Sequence, residues 1–230
     1  MWAASRDHRG AALCDRGSWK DKEMDRFICL LIGYACGCVL CSDLVARRLA
    51  GKSAFELGDG NPGMANVGHV LGTKAALLSL VGDILKTVVA VVASNVLFPT
   101  LGVVATAWAG LGATLGHDFP FWHRFNGGKG VTTIASTIIL MYPVWGILTG
   151  VIGAVSIVIT GYLSAAAVVA NVFYVIVMLV IGATEPALVS LAFLGLTLYG
   201  HWSKLRGIFD GTTKQAGLAT KVRSALRRDR

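Results

Sequence analysis

The sequence predicts an all-α, polytopic helical membrane protein with about seven transmembrane helices and glycine-rich cytoplasmic loops. Of its 230 residues, 54% are hydrophobic and only 15% are charged, which leaves too little polar sequence to cover one soluble core. Residues 131–183 carry no charged side chain, and this stretch is longer than a globular helix can bury. Both observations favour a chain that exposes much of its surface to lipid.

Prolines and polar loops divide the apolar sequence into spans. Breaks are predicted at Phe98-Pro99, Tyr142-Pro143 and Glu185-Pro186, because proline ends or kinks a helix. The resulting spans are residues 27–46, 72–97, 100–116, 131–144, 146–162, 164–182 and 186–200. The uncharged stretch after Lys129 can also form two long spans in place of three short ones, so five spans is the alternative.

An odd number of spans places both long loops and the C-terminal tail on one face of the membrane. That face then collects most of the basic residues, namely Arg47, Arg48, Lys52, Arg124, Lys129 and eight more from His201 onward. The positive-inside rule makes it the cytoplasmic face. An even number would put the basic tail opposite the loops.

Three regions are predicted along the chain. Residues 1–26 are read as a doubtful or disordered N-terminal extension, because Met24 offers a second start just before the first span. Residues 27–211 form the membrane-embedded domain. Residues 212–230 form a basic cytoplasmic tail, for which anionic lipid is the expected partner and nucleic acid is not.

The first glycine-rich loop has the composition of an anion site. Gly58, Gly60 and Gly63 allow backbone N–H groups to converge, and Asn61 and Asn66 supply side-chain amides. A plain turn between helices is the alternative, since Asn-Pro-Gly makes one well.

The second loop strengthens the prediction of an anion site. Asn126, Gly127, Gly128, Lys129 and Gly130 are followed at once by apolar sequence, which places the lysine at the N-terminus of a helix. Free N–H groups, the helix dipole and a lysine together favour phosphate. The spacing is not that of a P-loop, and neither a metal nor a cofactor is predicted.

Two charges in the second predicted span lie on one helical face. Asp83 and Lys86 are three residues apart, and intramembrane charges normally pair or line a polar cavity. Two roles stay open for these residues. They form a structural ion pair, or they line the wall of an active site. Asp43 is expected to pair with Arg47 at i, i+4.

The sequence resembles a known family, the bacterial glycerol-3-phosphate acyltransferases that use acyl-phosphate donors, often called the PlsY family. Residues 58–66 read GDGNPGMAN, which is similar to the family's GSGNPGATN. Residues 116–120 and 125–133 are similar to its GHxFP and FxGGKGVxT, and Asp83 with Lys86 resembles a family DxxK. The resemblance runs from about Phe27 to Gly211.

The resemblance implies a seven-span enzyme of phospholipid biosynthesis in the bacterial plasma membrane, whose active site faces the cytoplasm. It would transfer an acyl group from acyl phosphate to the 1-hydroxyl of glycerol 3-phosphate and release lysophosphatidic acid and phosphate. Its partners would be these two substrates and membrane lipids. The implied catalytic residues are His117, Lys129 and Asn61. The implied substrate-binding residues are Gly58, Gly60, Gly63, Asn66, Asn126, Gly127, Gly128, Gly130, Lys86, His201, Lys204, Cys38 and Ser42.

Several positions depart from the family motifs. Phe55 and Asp59 stand where the family has arginine and serine, and Lys204 and Gly207 stand where a third motif, HxxNIxRL, has asparagine and arginine. A family serine near the end of the first span corresponds to Cys38, with Ser42 nearby.

Lys204 and Arg206 are expected to restore positive charge that Phe55 and Gly207 remove. Two alternatives stay open. One is a divergent paralogue with an altered acceptor or no activity, and the other is a small membrane transporter in which Asp83 and Lys86 couple transport.

Overall fold

The computed structural model describes residues 8–213 and Gln215, with side chains from Asp21 onward. The described part of the chain is built of α-helices joined by turns and by two longer segments, residues 51–63 and 119–130, so the all-α prediction is confirmed. Its helices are α1 (His8–Gly37), α2 (Cys41–Ala50), α3 (Met64–Leu71), α4 (Thr73–Leu97), α5 (Val103–Asp118), α6 (Val131–Met141), α7 (Pro143–Thr160), α8 (Leu163–Val180) and α9 (Thr184–Phe209).

The outer surface of the bundle is apolar. Val89 on α4, Ile147 on α7 and Leu179 on α8 are each more than half exposed, as expected where lipid replaces water. Among the described residues, four segments are long and apolar enough to cross a membrane, namely Asp21–Ala50, Thr73–Leu97, Pro143–Thr160 and Leu163–Val180. The number of seven spans stays a prediction.

Two of the three predicted proline breaks are confirmed, and the third is wrong. Helix α4 ends just before Pro99, and α7 begins at Pro143. The break predicted at Pro186 lies earlier, after Val180, and Pro186 sits in the first turn of α9. A proline is tolerated there because the first N–H groups of a helix have no intrahelical partner. Helix α9 then continues to Phe209, so His201 and Lys204 lie on a helix and not in a tail.

The first predicted span, residues 27–46, is not one continuous helix. Helix α1 ends at Gly37 and α2 begins at Cys41. The ammonium group of Lys86, which reaches across from α4, donates hydrogen bonds to the carbonyl oxygens of Gly37 (3.1 Å) and Val39 (2.8 Å). Backbone carbonyls buried in an apolar bundle need such partners, so the lysine stabilises the interruption.

The two predicted terminal regions are only partly described. Helix α1 covers residues 8–26 and passes the predicted boundary at residue 26 without a break, whereas residues 1–7 lie outside the described residues. Of the predicted tail, the structure describes only Thr212, Thr213 and Gln215. Both regions stay predictions.

Helices α1 and α5 pack with their backbones in close contact. A methyl group on Gly33 would overlap the backbone carbonyl of Ala109, and one on Gly112 would overlap the carbonyl of Leu30. Gly37 and Gly116 face the opposite helix in the same way. Small residues spaced by four allow this approach, which replaces the hydrophobic effect as the main source of attraction between helices in lipid.

Gly112→Ala should therefore destabilise the protein, because the added methyl group must push α1 away from α5. We expect a loss of about 1–3 kcal/mol in the free energy of unfolding, the usual cost of overpacking. Thermal unfolding in detergent measures it. Gly195→Ala on α9 is the matched control, since a methyl group there meets no atom within 4 Å. Equal unfolding midpoints in the two variants would contradict the close-packed interface.

Candidate functional site

The two glycine-rich loops meet around a cavity of about 640 Å³ at one end of the bundle. Its walls come from residues 58–66 with the start of α3, residues 129–132 at the start of α6, the turn at residues 162–164, and the last turns of α9. Asp83 on α4 and His117 on α5 also line it. Because distant parts of the chain converge here with several polar groups, this cavity is the candidate site.

The first glycine loop is shaped by Asn66, which lies on α3. The side-chain amide of Asn66 donates a hydrogen bond to the carbonyl of Asn61 (2.9 Å) and accepts one from the N–H of Asp59 (3.0 Å). Gly58 and Gly60 have φ angles of 53° and 74°, which favour glycine. Asn66 thus holds the loop from within, and the side chain of Asn61 is left lining the cavity.

The second glycine loop packs directly on His117. The N–H of Gly128 donates to the carbonyl of His117 (2.9 Å), and a methyl group on Gly127 or Gly128 would overlap the histidine. Gly130, with φ of 63°, precedes the first residue of α6. Lys129 therefore stands at a helix N-terminus, as predicted, and it lines the cavity.

A buried polar cluster lies behind the cavity. The Nζ atom of Lys86 is 2.8 Å from Nδ1 of His117 and 2.8 Å from a carboxylate oxygen of Asp83, and all three side chains are buried. An ammonium group can only donate, so Nδ1 of His117 accepts and the ring proton resides on Nε2. The Nε2 edge of the ring lies against Gly128. Asp83 and His117 reach the cavity wall, whereas Lys86 supports them from behind.

The mouth of the cavity carries charges of both signs. The Nζ atom of Lys204 on α9 lies 2.7 Å from a carboxylate oxygen of Asp59. Burial raises the pKa of Asp59, but the hydrogen bond and the charge of Lys204 outweigh it and hold that pKa below the usual aspartate range. Burial and the charge of Lys204 lower the pKa of Lys129. Neither ring nitrogen of the buried His201 has a hydrogen-bond partner among the described residues.

An apolar groove of about 260 Å³ adjoins the cavity. It runs between α6, α7 and α8 and is lined mainly by isoleucine, alanine and glycine. Val131 and Leu163 line both the groove and the cavity. A polar chamber and an apolar groove thus share one wall, which suits a ligand with a charged head and a hydrocarbon chain.

Nine of the residues implied by the resemblance line the cavity, namely Gly58, Asn61, Gly63, Asn66, His117, Lys129, Gly130, His201 and Lys204. Gly127, Gly128 and Lys86 lie behind it against His117. Gly60 shapes the first loop, and Asn126 is exposed outside the wall. Cys38 and Ser42 are fully buried and do not line the cavity. Cys38 lies in the interruption between α1 and α2, where its backbone packs against Gly116 of α5.

The departures from the family motifs have definite surroundings. The ring of Phe55 lies 5.1 Å from that of His123, outside the cavity wall, and Arg206 is also outside it. The carbonyl of Gly207 accepts hydrogen bonds from the N–H groups of Thr212 and Thr213. This turn brings Thr213 into the wall, and a methyl group on Gly207 would overlap the hydroxyl groups of Thr212 and Thr213. The predicted pair of Asp43 with Arg47 is confirmed at 2.8 Å.

Sequence reasoning missed the turn between α7 and α8. Tyr162, Leu163 and Ser164 line the cavity, although no motif marks them. One signal was available, because the seven predicted spans place the turn near residue 163 on the same face as the glycine loops. His69, Thr132 and Thr213 also line the cavity without having been predicted.

Comparison with solved structures shows the same fold. The chain is similar to a crystal structure of PlsY (YgiH), an integral membrane glycerol 3-phosphate acyltransferase in its glycerol 3-phosphate form. The TM-score is 0.76 and the identity is 23%, over 86% of this chain and 98% of that one. The lysophosphatidic acid form of PlsY matches with a TM-score of 0.74, at 23% identity over 84% of this chain and 95% of that one.

Sequence comparison leads to the same family. The glycerol-3-phosphate acyltransferase 1 of Lactobacillus acidophilus is 31% identical over 88% of this chain and 98% of its own length. The protein of the same name from Lactobacillus johnsonii is 38% identical over 59% of this chain and 66% of its own length. A family model described as glycerol-3-phosphate acyltransferase matches residues 27–211. The chain therefore belongs to the glycerol-3-phosphate acyltransferase family.

Proposed function

We propose that this enzyme transfers a fatty acyl group from an acyl phosphate to the 1-hydroxyl of glycerol 3-phosphate at the cytoplasmic face of a bacterial plasma membrane. One observation carries the proposal. The cavity that holds Lys129 and Lys204 shares Val131 and Leu163 with an apolar groove between three helices. A donor with a phosphate head and a hydrocarbon chain would fill both spaces, and a water-soluble acceptor would fill the rest of the cavity.

The phosphate groups would bind at the start of α6 and along α9. Lys129 precedes the first N–H groups of α6, which have no intrahelical partner and carry the positive end of the helix dipole. His201 faces the same cavity with both ring nitrogens unpartnered in the described structure. Asn61 adds a side-chain amide from the first loop.

His117 would act as a hydrogen-bond donor and not as a general base. Lys86 occupies its Nδ1 atom, so the imidazole carries its proton on Nε2, at the edge that packs against Gly128 of the second loop. A fixed donor suits an oxygen that gains negative charge in the transition state. Lys86 is then a positioning residue, since it sets the tautomer and orientation of the ring without lining the cavity.

The reaction needs little further assistance, because an acyl phosphate is already activated. The 1-hydroxyl oxygen forms a bond to the acyl carbon, the bond from that carbon to the phosphate oxygen breaks, and phosphate leaves. The hydroxyl proton passes to a phosphate oxygen. Positioning and neutralisation of charge are the contributions that the cavity can make.

The proposal is tested with the purified chain, palmitoyl phosphate and labelled glycerol 3-phosphate. Formation of lysophosphatidic acid is the expected result, and palmitoyl coenzyme A in place of palmitoyl phosphate tests the donor. If neither donor yields product although the protein is folded, the divergent paralogue becomes the better interpretation.

Lys129→Ala should lower kcat/KM strongly. The change removes a charge-assisted contact to a phosphate in a partly buried site, which is worth about 2–4 kcal/mol. Lys74→Ala is the matched control, since Lys74 is exposed at the start of α4 and outside the cavity wall. Near-normal transfer by Lys129→Ala would exclude the phosphate role of the second loop.

Substitution of His117 distinguishes a donor from a base. His117→Phe should lower kcat/KM by about 100- to 1,000-fold, the usual loss for one preorganised donor. His117→Gln keeps an N–H group and should retain more activity. Rates are measured across pH. An acidic limb that disappears in His117→Gln would assign the ring as a general base and contradict the donor role.

Labelling of introduced thiols in intact cells tests the membrane orientation. A membrane-impermeant maleimide should react with Thr100→Cys, in the turn between α4 and α5, and should miss Lys52→Cys and Arg206→Cys. All three side chains are exposed, so access depends on the face alone. External labelling of Arg206→Cys but not of Lys52→Cys would place the two halves of the site on opposite faces and exclude the orientation.

A further inference from the structure

An ion pair joins the first glycine loop to the last helix at the mouth of the cavity. The Nζ atom of Lys204 and the Oδ2 atom of Asp59 are 2.7 Å apart, although the two residues are 145 positions apart in the sequence. Both side chains line the cavity, and each is about half exposed, at 46% and 45%. The pair therefore stands where a water-soluble substrate would enter.

The two partners differ in their freedom to move. The Oδ1 atom of Asp59 accepts the N–H of Asn61 (3.2 Å), and the N–H of Asp59 donates to the Asn66 side chain (3.0 Å), so the loop holds the carboxylate. Lys204 is held through its backbone, whose carbonyl accepts the Thr213 hydroxyl (2.8 Å), while its ammonium sits on a flexible four-carbon stem. When an anion enters, the ammonium group is the partner that can turn toward it.

The carboxylate competes with any phosphate for this cation. Lys129 and Lys204 are the two lysines that line the cavity in the described structure, and Asp59 already neutralises Lys204. A phosphate monoester would bring two negative charges to the same ammonium. The phosphate must then displace the Asp59 carboxylate from Lys204 or bind beside it against electrostatic repulsion. Either effect weakens phosphate binding.

We propose that Asp59 determines the affinity of this enzyme for its acceptor by competing with the acceptor's phosphate for Lys204. The inference rests on the proposed function. The shared chemistry is a phosphate group with one substituent, and two ligands would bring it: the acceptor, which is a phosphate monoester, and the acyl phosphate, which is a mixed anhydride. The acceptor is favoured, because Asp59 and Lys204 lie at the open mouth, whereas the apolar groove meets the cavity at Val131 and Leu163.

Asp59→Asn tests the proposal with little change of shape. Asparagine keeps an oxygen for the N–H of Asn61, and it removes both the charge and the oxygen that accepts from Lys204. We expect the KM for glycerol 3-phosphate to fall by about three- to fivefold, the upper part of the range for an exposed ion pair, and the KM for palmitoyl phosphate to stay within about twofold. The kcat should change little, because the contact acts on substrate binding and on the transition state alike.

Two further variants complete the test. Glu56→Gln is the matched control, since it removes a carboxylate three residues away whose side chain accepts the Ser53 N–H and does not line the cavity. It should leave both KM values unchanged. Lys204→Met should raise the KM for glycerol 3-phosphate, and by more in the Asp59→Asn background, because there the lysine is fully available to the phosphate.

Three outcomes would overturn the proposal. A rise or no change in the acceptor KM of Asp59→Asn would show that the carboxylate does not compete, and an equal fall in both KM values would show a general field effect.

If Asp59→Asn does not fold, Asp59→Ser, with the residue of the family motif, takes its place. If the native chain transfers no acyl group, the proposed function fails, and protection against thermal unfolding by glycerol 3-phosphate replaces KM. That protection should still be greater in Asp59→Asn.

Discussion

One buried ammonium group, that of Lys86, supports both the fold and the site. It donates hydrogen bonds to the carbonyls of Gly37 and Val39 and to Nδ1 of His117, while Asp83 balances its charge. These side chains are buried, so each would be costly to leave unpaired. The same lysine therefore permits the first span to be interrupted and fixes the imidazole that lines the cavity.

The bundle brings these groups together because its interior is built from small and weakly polar residues. Gly33 and Gly112 let α1 and α5 approach until their backbones touch, which places Gly37 within reach of α4. The buried hydroxyls of Thr87 and Thr137 each donate to a carbonyl four residues earlier, so they need no partner on another helix. Many large apolar side chains lie on the outside, where lipid is the solvent, while a buried set that includes Tyr174, Met178 and Phe193 forms the apolar core.

Two of the positions that depart from the family motifs are in contact, and the other two have different surroundings. Asp59, in place of serine, pairs with Lys204, in place of asparagine. Gly207 stands in place of arginine, and its carbonyl accepts the hydrogen bonds of the turn that brings Thr213 into the cavity wall. Phe55, in place of arginine, lies beside an aromatic ring outside the wall. Lys204 thus does not simply replace the missing arginine, because its charge is already engaged by a carboxylate that the motif lacks.

The sequence by itself determined the all-helical membrane class, the breaks at Pro99 and Pro143, and the placement of Lys129 at the start of a helix. These features follow from composition and from residues within a few positions of one another. Only the tertiary structure decided the interruption after Gly37 and the pairing of Asp59 with Lys204. Each depends on a contact between residues 47 or more positions apart, and local propensity carries no information about which distant side chain will supply the missing hydrogen bond or charge.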